Sequence, residues 1–231
     1  MGAPVIRNDG YLAHSIWEHS ETVAKLYRAR ARDEAEEMTC AAQAAELLQP
    51  LAAAGDSLLD AGCGSGYFFH SLRRRGIEVS YWGIDASPRL VEIGRNELPR
   101  FGLPAERLQA MRIEDFRGEA DHVLCMNVLS NIDNYHRPLE QLLKAARKTL
   151  LLRDSETEGS RYAWVRDEYL DPGVNLNVHV NAYATAELMA FIERYGFAVQ
   201  RIADRRSADA AEMVIGHPHW WTFFLAVREK P

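Results

Sequence analysis

Glycines and acids at two places in the sequence have the spacing of a cofactor-binding site. Residues 60–66 read DAGCGSG, with Asp60 preceding three alternating glycines. Glycines between a strand and a helix let the backbone pass close to a ligand and orient amide N–H groups toward it. A second acid, Asp85, follows about 20 residues later, where a carboxylate accepts the hydroxyls of a ribose. Together these residues predict a site for a nucleoside-containing cofactor.

Two cofactor classes compete for this pattern. A dinucleotide such as NAD favours the spacing GxGxxG, and a carboxylate as near as Asp60 repels its anionic pyrophosphate. At these residues the sequence instead resembles the class I S-adenosylmethionine-dependent methyltransferases, a Rossmann-like family whose first motif is an acid, a small residue and three alternating glycines. The resemblance implies that Asp60 serves the ammonium region of S-adenosylmethionine. It places Gly62, Gly64 and Gly66 beneath the methionine part.

The resemblance continues at the ends of two further strands. Residues 83–88, GIDASP, match the end of the family's second strand, which implies that Asp85 binds the ribose hydroxyls with Ala86 beside it. Residues 121–131 match its fourth strand and the turn after it, which implies that Asn127 lies near the methionine moiety.

The segment RIEDF at residues 112–116 lies where the family places its adenine contacts, after the third strand. Arg112 departs from the family pattern, because an Asp is frequent at that position. The adenine contacts are therefore expected from the Ile113 backbone and from Glu114 or Asp115.

The expected activity is methyl transfer from S-adenosylmethionine to a small molecule, leaving S-adenosylhomocysteine, with O-methylation favoured slightly over N- or C-methylation. After the fourth strand the chain reads NVLS rather than the DPPY or NPPY type of the base-amino methyltransferases. Its arginine clusters, 73–75 and 205–206, are short, so no nucleic-acid partner is expected. Two alternatives stay open: an NAD-dependent oxidoreductase, and a cofactor-binding relative that does not transfer methyl groups.

A general base helps when the acceptor is a hydroxyl or phenol, and histidine suits that role because its ordinary pKa is near 6.5. We predict His179 as the candidate base, since Asn177 and Asn181 are expected on the same face of an alternating strand and able to orient it. An ordinary half-exposed strand explains the same pattern. The other histidines expected on the substrate side are His14, His19, His136, His217 and His219.

Short apolar runs alternate with helical periodicity along the chain, which predicts an α/β fold. We expect a doubly wound, mainly parallel seven-stranded sheet with an antiparallel terminal hairpin and an N-terminal helical extension. All 231 residues are expected to form one domain. Its parts are an extension or lid (1–50), a cofactor-binding core (51–155), a substrate-side insertion (156–184), and a terminal helix and hairpin (185–231).

Composition excludes several other classes of protein. The net charge of −6 offers no general attraction to nucleic acid or an anionic membrane. The chain has no apolar run of membrane-spanning length and no secretory signal pattern at its start, so we expect a cytoplasmic protein. Three widely spaced cysteines and the absence of an HExxH-type spacing argue against a disulfide framework or a metal site, and no metal is predicted. The sequence leaves the oligomeric state open.

Overall fold

The structure is a computed structural model that describes residues 15–167, 171 and 176–229. Its helices are α1 (Ile16–His19), α2 (Glu21–Ala31), α3 (Thr39–Leu48), α4 (Phe68–Arg74), α5 (Pro88–Glu97), α6 (His136–Ala145) and α7 (Thr185–Glu193). Its strands are β1 (Ser57–Ala61), β2 (Ser80–Asp85), β3 (Leu108–Ala110), β4 (Ala120–Met126), β5 (Ala146–Thr157), β6 (Trp164–Asp167), β7 (Leu176–His179), β8 (Tyr183–Ala184), β9 (Phe197–Ala203), β10 (Glu212–Val214) and β11 (His217–Arg228). Helices and strands alternate as the apolar pattern predicts.

The central sheet has the order β3-β2-β1-β4-β5-β11, with β9 and β10 along the far side of β11 and β8 beside β5. Strands β1 to β5 are parallel, whereas β11 runs antiparallel to β5 and β9. The predicted mainly parallel sheet with an antiparallel terminal hairpin is confirmed, with β8 and β10 as two short additions. The strand order reverses between β1 and β4, so the crevice at their carboxyl ends is the place where this type of sheet binds ligands.

The core lies on both faces of the sheet because side chains alternate along each strand. Leu58 belongs to the cluster beneath α3 and α4, and its neighbour Leu59 belongs to the cluster beneath α6 and α7. Covering both faces fixes the positions of the strand ends that carry the predicted site.

The N-terminal helices lie against the cofactor half of the sheet and also touch the insertion. Helix α2 packs Val23 and Ala24 on Leu90 and Ile93 of α5. Ile16 of α1 packs on the aliphatic face of β7, and β7 pairs antiparallel with β6 in a separate two-stranded sheet. The extension and the insertion therefore meet at the carboxyl edge of the sheet.

Three boundaries differ from the sequence-based expectations. The apolar spacing of Met38, Ala41, Ala45 and Leu48 predicts a helix from about Asp33, but α3 begins at Thr39. Asp33 has a left-handed φ of 59°, a conformation that does not belong to a right-handed helix. Residues 217–220, expected in a loop, belong to β11, where Val214 of β10 pairs with His217. The sequence predicts Thr185 as the cap of the last helix, but Thr185 is the first residue of α7, and its hydroxyl donates to Glu156 Oε2 at 2.7 Å. Residues 174 and 175 of the predicted alternating strand lie outside the described residues.

None of the helices in the described part of the chain is long and apolar enough to span a membrane.

Candidate active site

Asp60 lies at the carboxyl end of β1 and is only 4% exposed. The Tyr81 hydroxyl donates a hydrogen bond to its Oδ2 at 2.6 Å. Burial raises the pKa of Asp60 to about 7, the hydrogen bond from Tyr81 opposes that rise, and the nearby negative charge of Asp85 adds to it. Asp60 is therefore an acid that a cationic ligand would help to ionise.

The glycine turn after β1 uses conformations and space that only glycine provides. Gly62, Gly64 and Gly66 have φ of 79°, 57° and 74°. A Cβ on Gly62 would lie 2.2 Å from Val128 Cγ2, and one on Gly64 would lie 2.2 Å from Tyr27 Cε1. The turn is thus enclosed by the loop after β4 on one side and by helix α2 on the other.

Asp85, at the end of β2, holds the turn and the next helix together. Its Oδ2 accepts the Gly64 N–H at 2.7 Å, and its Oδ1 accepts the Ser87 N–H at 2.8 Å. Burial raises its pKa to about 6 against these two hydrogen bonds. A carboxylate has about four acceptor positions, so two remain for ribose hydroxyls.

Glu18 of α1 is a residue near Asp85 that sequence reasoning missed. Its Oε2 accepts the Ser87 hydroxyl at 2.7 Å, and its negative charge contributes to the raised pKa of Asp85. Ser87 also caps α5 by accepting the Leu90 N–H. Nothing in the local sequence around Glu18 indicates this contact, because the two partners are about 70 residues apart.

The expected adenine segment forms a single 3-10 turn, Ile113–Asp115, after β3. Ile113 is buried, Asp115 is exposed, and the Glu114 carboxylate accepts a 2.7 Å bond from Arg112 Nη2. The Met111 N–H donates to the Asp85 carbonyl, so this segment begins beside the end of β2.

Asn127 directly follows β4 and has a left-handed φ of 58°. Its side-chain oxygen accepts a hydrogen bond from the buried Arg153, and Arg153 Nε donates to the buried Asp204 at 2.7 Å. The side chain of Asn127 is therefore fixed from the β5 side, and it lies at the same edge of the sheet as Asp60 and Asp85.

His179 lies on the outer face of β7, opposite the aliphatic face that packs on Ile16, with its ring 4.3 Å from that of Trp164. Burial lowers its pKa, and the charge of Asp133 only partly offsets this. The expectation that Asn181 orients His179 is wrong. The side-chain amide of Asn181 instead hydrogen-bonds to the backbone. Its oxygen accepts from the Ala163 N–H, and its nitrogen donates to the Ile132 carbonyl.

The other candidate histidines are dispersed. His136 stacks on Tyr135 at 4.1 Å, and His219 packs against Trp221 at 5.0 Å. His19 is exposed on α1, and His14 lies outside the described residues. Over the described ranges, no three His, Cys, Asp or Glu side chains are grouped closely enough to hold a metal ion.

Comparison with known proteins gives the family. Residues 28–202 match the family model described as a methyltransferase domain, which covers most of the chain. The chain therefore belongs to the class I S-adenosylmethionine-dependent methyltransferases, and S-adenosylmethionine is the cofactor of that family. The residues fit this cofactor, since the buried carboxylate of Asp60, the half-buried carboxylate of Asp85 and a glycine backbone suit its ammonium and ribose groups.

Two curated relatives are ubiquinone biosynthesis O-methyltransferases. The one from Methylocella silvestris is 38% identical over 81 residues, which cover 34% of this chain and 30% of the relative. The one from Xanthomonas euvesicatoria is 29% identical over 161 residues, which cover 65% of this chain and 66% of the relative. The matches thus span less than two thirds of these relatives.

Solved structures share the fold at low identity. The magnesium protoporphyrin IX methyltransferase of Synechocystis PCC 6803, crystallised with S-adenosylmethionine, is 15% identical with a TM-score of 0.60. The match covers 98% of this chain and 100% of that one. The CcbJ methyltransferase of Streptomyces caelestis is 14% identical with a TM-score of 0.63, covering 93% of this chain and 99% of that one.

Proposed function

We propose that this protein transfers the methyl group of S-adenosylmethionine to a small-molecule acceptor, with oxygen favoured over nitrogen or carbon. The observation that carries the proposal is the pair of acids, Asp60 buried and Asp85 half-buried, flanking an enclosed glycine turn at the carboxyl edge of β1 and β2. When bound, the cofactor supplies an electrophilic methyl group on a sulfonium. The protein's task is then to align the acceptor and exclude water.

The roles of the binding residues follow from their places along the edge. Asp85 and Ala86 are proposed to hold the ribose, and Asp60 the ammonium group. The turn and the end of β4 are proposed to support the methionine part, and the 3-10 turn after β3 the adenine. The remaining residues of this proposed set are Gly62, Gly64, Gly66, Ile113, Glu114, Asp115 and Asn127.

A small-molecule acceptor agrees with the surface charges of the described residues. Four of the five arginines in the two clusters that could attract a phosphate backbone are already paired with carboxylates. Arg75 pairs with Glu37 at 2.7 Å, and Arg205 pairs with Glu46 at 2.6 Å. The names of the curated relatives support oxygen as the acceptor atom. We also propose that the chain works in the cytoplasm as one domain, with the four parts assigned from the sequence.

The direct test is release of S-adenosylhomocysteine from S-adenosylmethionine with a panel of catechols, phenols and matched amines. Turnover with a hydroxyl acceptor is the expected result. Turnover confined to amines would reassign the acceptor atom, and binding of S-adenosylhomocysteine without turnover on any acceptor would favour a non-catalytic role. Binding of NAD(H) in place of S-adenosylhomocysteine would overturn the proposal.

We propose His179 as the general base that accepts the acceptor's proton. Its lowered pKa leaves the imidazole neutral at pH 7, the state a base requires. We expect His179→Ala to lower kcat by about 100-fold or more while leaving the Kd for S-adenosylhomocysteine unchanged. The pH–rate profile should also lose its acid limb. Glu158→Gln, an exposed change on the same insertion, is the matched control. Unchanged turnover in His179→Ala would remove this residue from the mechanism.

A further inference from the structure

Two large aromatic side chains of the insertion are open to solvent. Tyr162 and Trp164 are each 54% exposed, the largest exposed fractions of any aromatic side chains in the described residues. Trp164 begins β6, and Tyr162 precedes it by two positions on an extended chain, so the two side chains share one face. Covering aromatic surface of this size stabilises a complex, and folding leaves it uncovered here.

The exposed rings are fixed beside the loop that follows β4. The Asn181 N–H donates to the Ser130 carbonyl at 2.9 Å, and Asn181 is fully buried. The Tyr183 hydroxyl donates to the Leu129 carbonyl, and the Tyr162 ring packs edge to face on the Tyr183 ring at 5.9 Å. Because this loop begins at the carboxyl end of β4, these contacts hold the insertion at the edge where a doubly wound sheet binds its ligands.

Trp164 lies directly opposite the proposed base. Trp164 and His179 are partners in the antiparallel pairing of β6 with β7, and their ring centroids are 4.3 Å apart. His179 is half-buried, whereas more than half of the Trp164 surface is open. A molecule that covers the open part of the indole would therefore have its edge beside the imidazole.

The arrangement of the two exposed rings favours a flat ligand over a cation. A quaternary ammonium group is recognised by aromatic faces that surround it as a cage. Side chains two positions apart on an extended chain are separated by about 6.5 Å and point the same way, so Tyr162 and Trp164 form a flat surface rather than a cage. A planar ring gains an offset-stacked contact on such a surface.

We infer that Trp164 determines acceptor specificity by stacking on an aromatic ring that carries the hydroxyl to be methylated. This rests on the proposed function, because it takes a methyl acceptor as the occupant of the cleft. An aromatic ring stacked on the indole places a hydroxyl at its edge next to His179. Trp164 thus selects a planar phenolic acceptor over an aliphatic alcohol of the same size.

The test compares two ligands of the protein saturated with S-adenosylhomocysteine. Catechol has a flat aromatic face, and trans-1,2-cyclohexanediol carries its two hydroxyls on a puckered ring without one. By titration calorimetry the native protein should bind catechol more tightly than the diol. We expect Trp164→Leu to weaken catechol binding by about 3- to 10-fold and to leave the affinity for the diol within about 2-fold of the native value.

Two further variants complete the comparison. Trp82 is 36% exposed and lies on β2 against the Arg107 guanidinium, away from the insertion, so the matched control Trp82→Leu should change neither affinity. Trp164→Phe keeps an aromatic face and should retain most of the affinity for catechol. It also provides the measurement if Trp164→Leu does not fold.

Equal affinity of the native protein and Trp164→Leu for catechol would overturn the inference. An equal loss for both ligands would also overturn it, since that result indicates a structural role for Trp164. If the native protein bound S-adenosylhomocysteine but not catechol, the inference would fail and the proposed function would stand. If the native protein did not bind S-adenosylhomocysteine, the proposed function would fail, and the inference with it.

Discussion

The contact between Gly64 and Tyr27 makes a quantitative prediction about the N-terminal extension. Gly64 and Gly76 both have left-handed φ, 57° and 62°, but they differ in their surroundings. A Cβ on Gly76 meets nothing within 4 Å, whereas one on Gly64 would lie 2.2 Å from the Tyr27 ring. Gly76→Ala therefore reports the cost of the backbone conformation alone, and Gly64→Ala reports that cost plus the clash.

The magnitudes follow from these two terms. An alanine in the left-handed region costs about 1–2 kcal/mol, and both variants share that cost. Relieving the clash requires the Tyr27 ring to move from 2.2 Å to an ordinary contact beyond 3.4 Å, and such overpacking costs about 1–3 kcal/mol more. We expect Gly64→Ala to lower the free energy of unfolding by roughly 2–5 kcal/mol and Gly76→Ala by about 1–2 kcal/mol.

Urea unfolding of four proteins isolates the contact: the native chain, Gly64→Ala, Tyr27→Ala and the double variant. In the Tyr27→Ala background, Gly64→Ala should cost no more than Gly76→Ala, since the space above residue 64 is then open. The coupling free energy should be about 1–3 kcal/mol. Equal costs for Gly64→Ala and Gly76→Ala, with coupling below about 0.5 kcal/mol, would refute the packing of α2 on the glycine turn.

Two further predictions concern buried acids. The pKa of Asp60 is about 7 in the folded protein, whereas its ordinary value, which applies to the unfolded chain, is 3.8. The folded state therefore holds the proton more tightly, and the free energy of unfolding falls as the pH rises from about 4 to 7. Asp60→Asn has no proton to lose at this position and should not show that fall. The difference in the free energy of unfolding between the variant and the native protein, measured by urea titration, should therefore shift by about 3 kcal/mol in favour of the variant between pH 5 and pH 8. A constant difference across this pH range would contradict the prediction. Asp204→Asn leaves the buried guanidinium of Arg153 without its counter-ion and should cost about 3–5 kcal/mol in the same assay. The exposed control Asp209→Asn should cost less than about 1 kcal/mol, and equal losses would refute the importance of the buried pair.

The strand, turn and helix around residues 57–74 could be predicted because their signals are local. An apolar run, three alternating glycines and a helical stripe each specify their own backbone conformation, and the acids follow from their places at strand ends. The same holds for α5, whose cap and first-turn proline, Ser87 and Pro88, are adjacent in the sequence.

The contacts that complete the site could not be predicted, because each joins segments far apart in the chain. Glu18 reaches Ser87, Tyr27 covers Gly64, and Arg153 pairs with Asp204, and only the folded topology brings these partners together. The start of β11 was missed for the same reason. Residues 217–220 become a strand through pairing with β10 and β5, whereas their proline and histidines indicate a loop.

The carboxylates at the two edges of the sheet have pKa values shifted in opposite directions, and the difference agrees with the proposed ligand. At the amino edge, Lys148 lowers the pKa of Asp56 despite partial burial, and the Ser57 N–H lowers that of Asp121 to about 2. At the carboxyl edge, burial raises the pKa values of Asp60 and Asp85, and no lysine or arginine in the described ranges pairs with either.

Folding alone leaves this negative charge at the carboxyl edge uncompensated, which costs stability that a cationic ligand would restore on binding. S-adenosylmethionine carries two positive groups, the sulfonium and the ammonium, so on the proposed function it would supply the missing cations. The two acids at this edge and the proposed cationic cofactor would therefore form one complementary set.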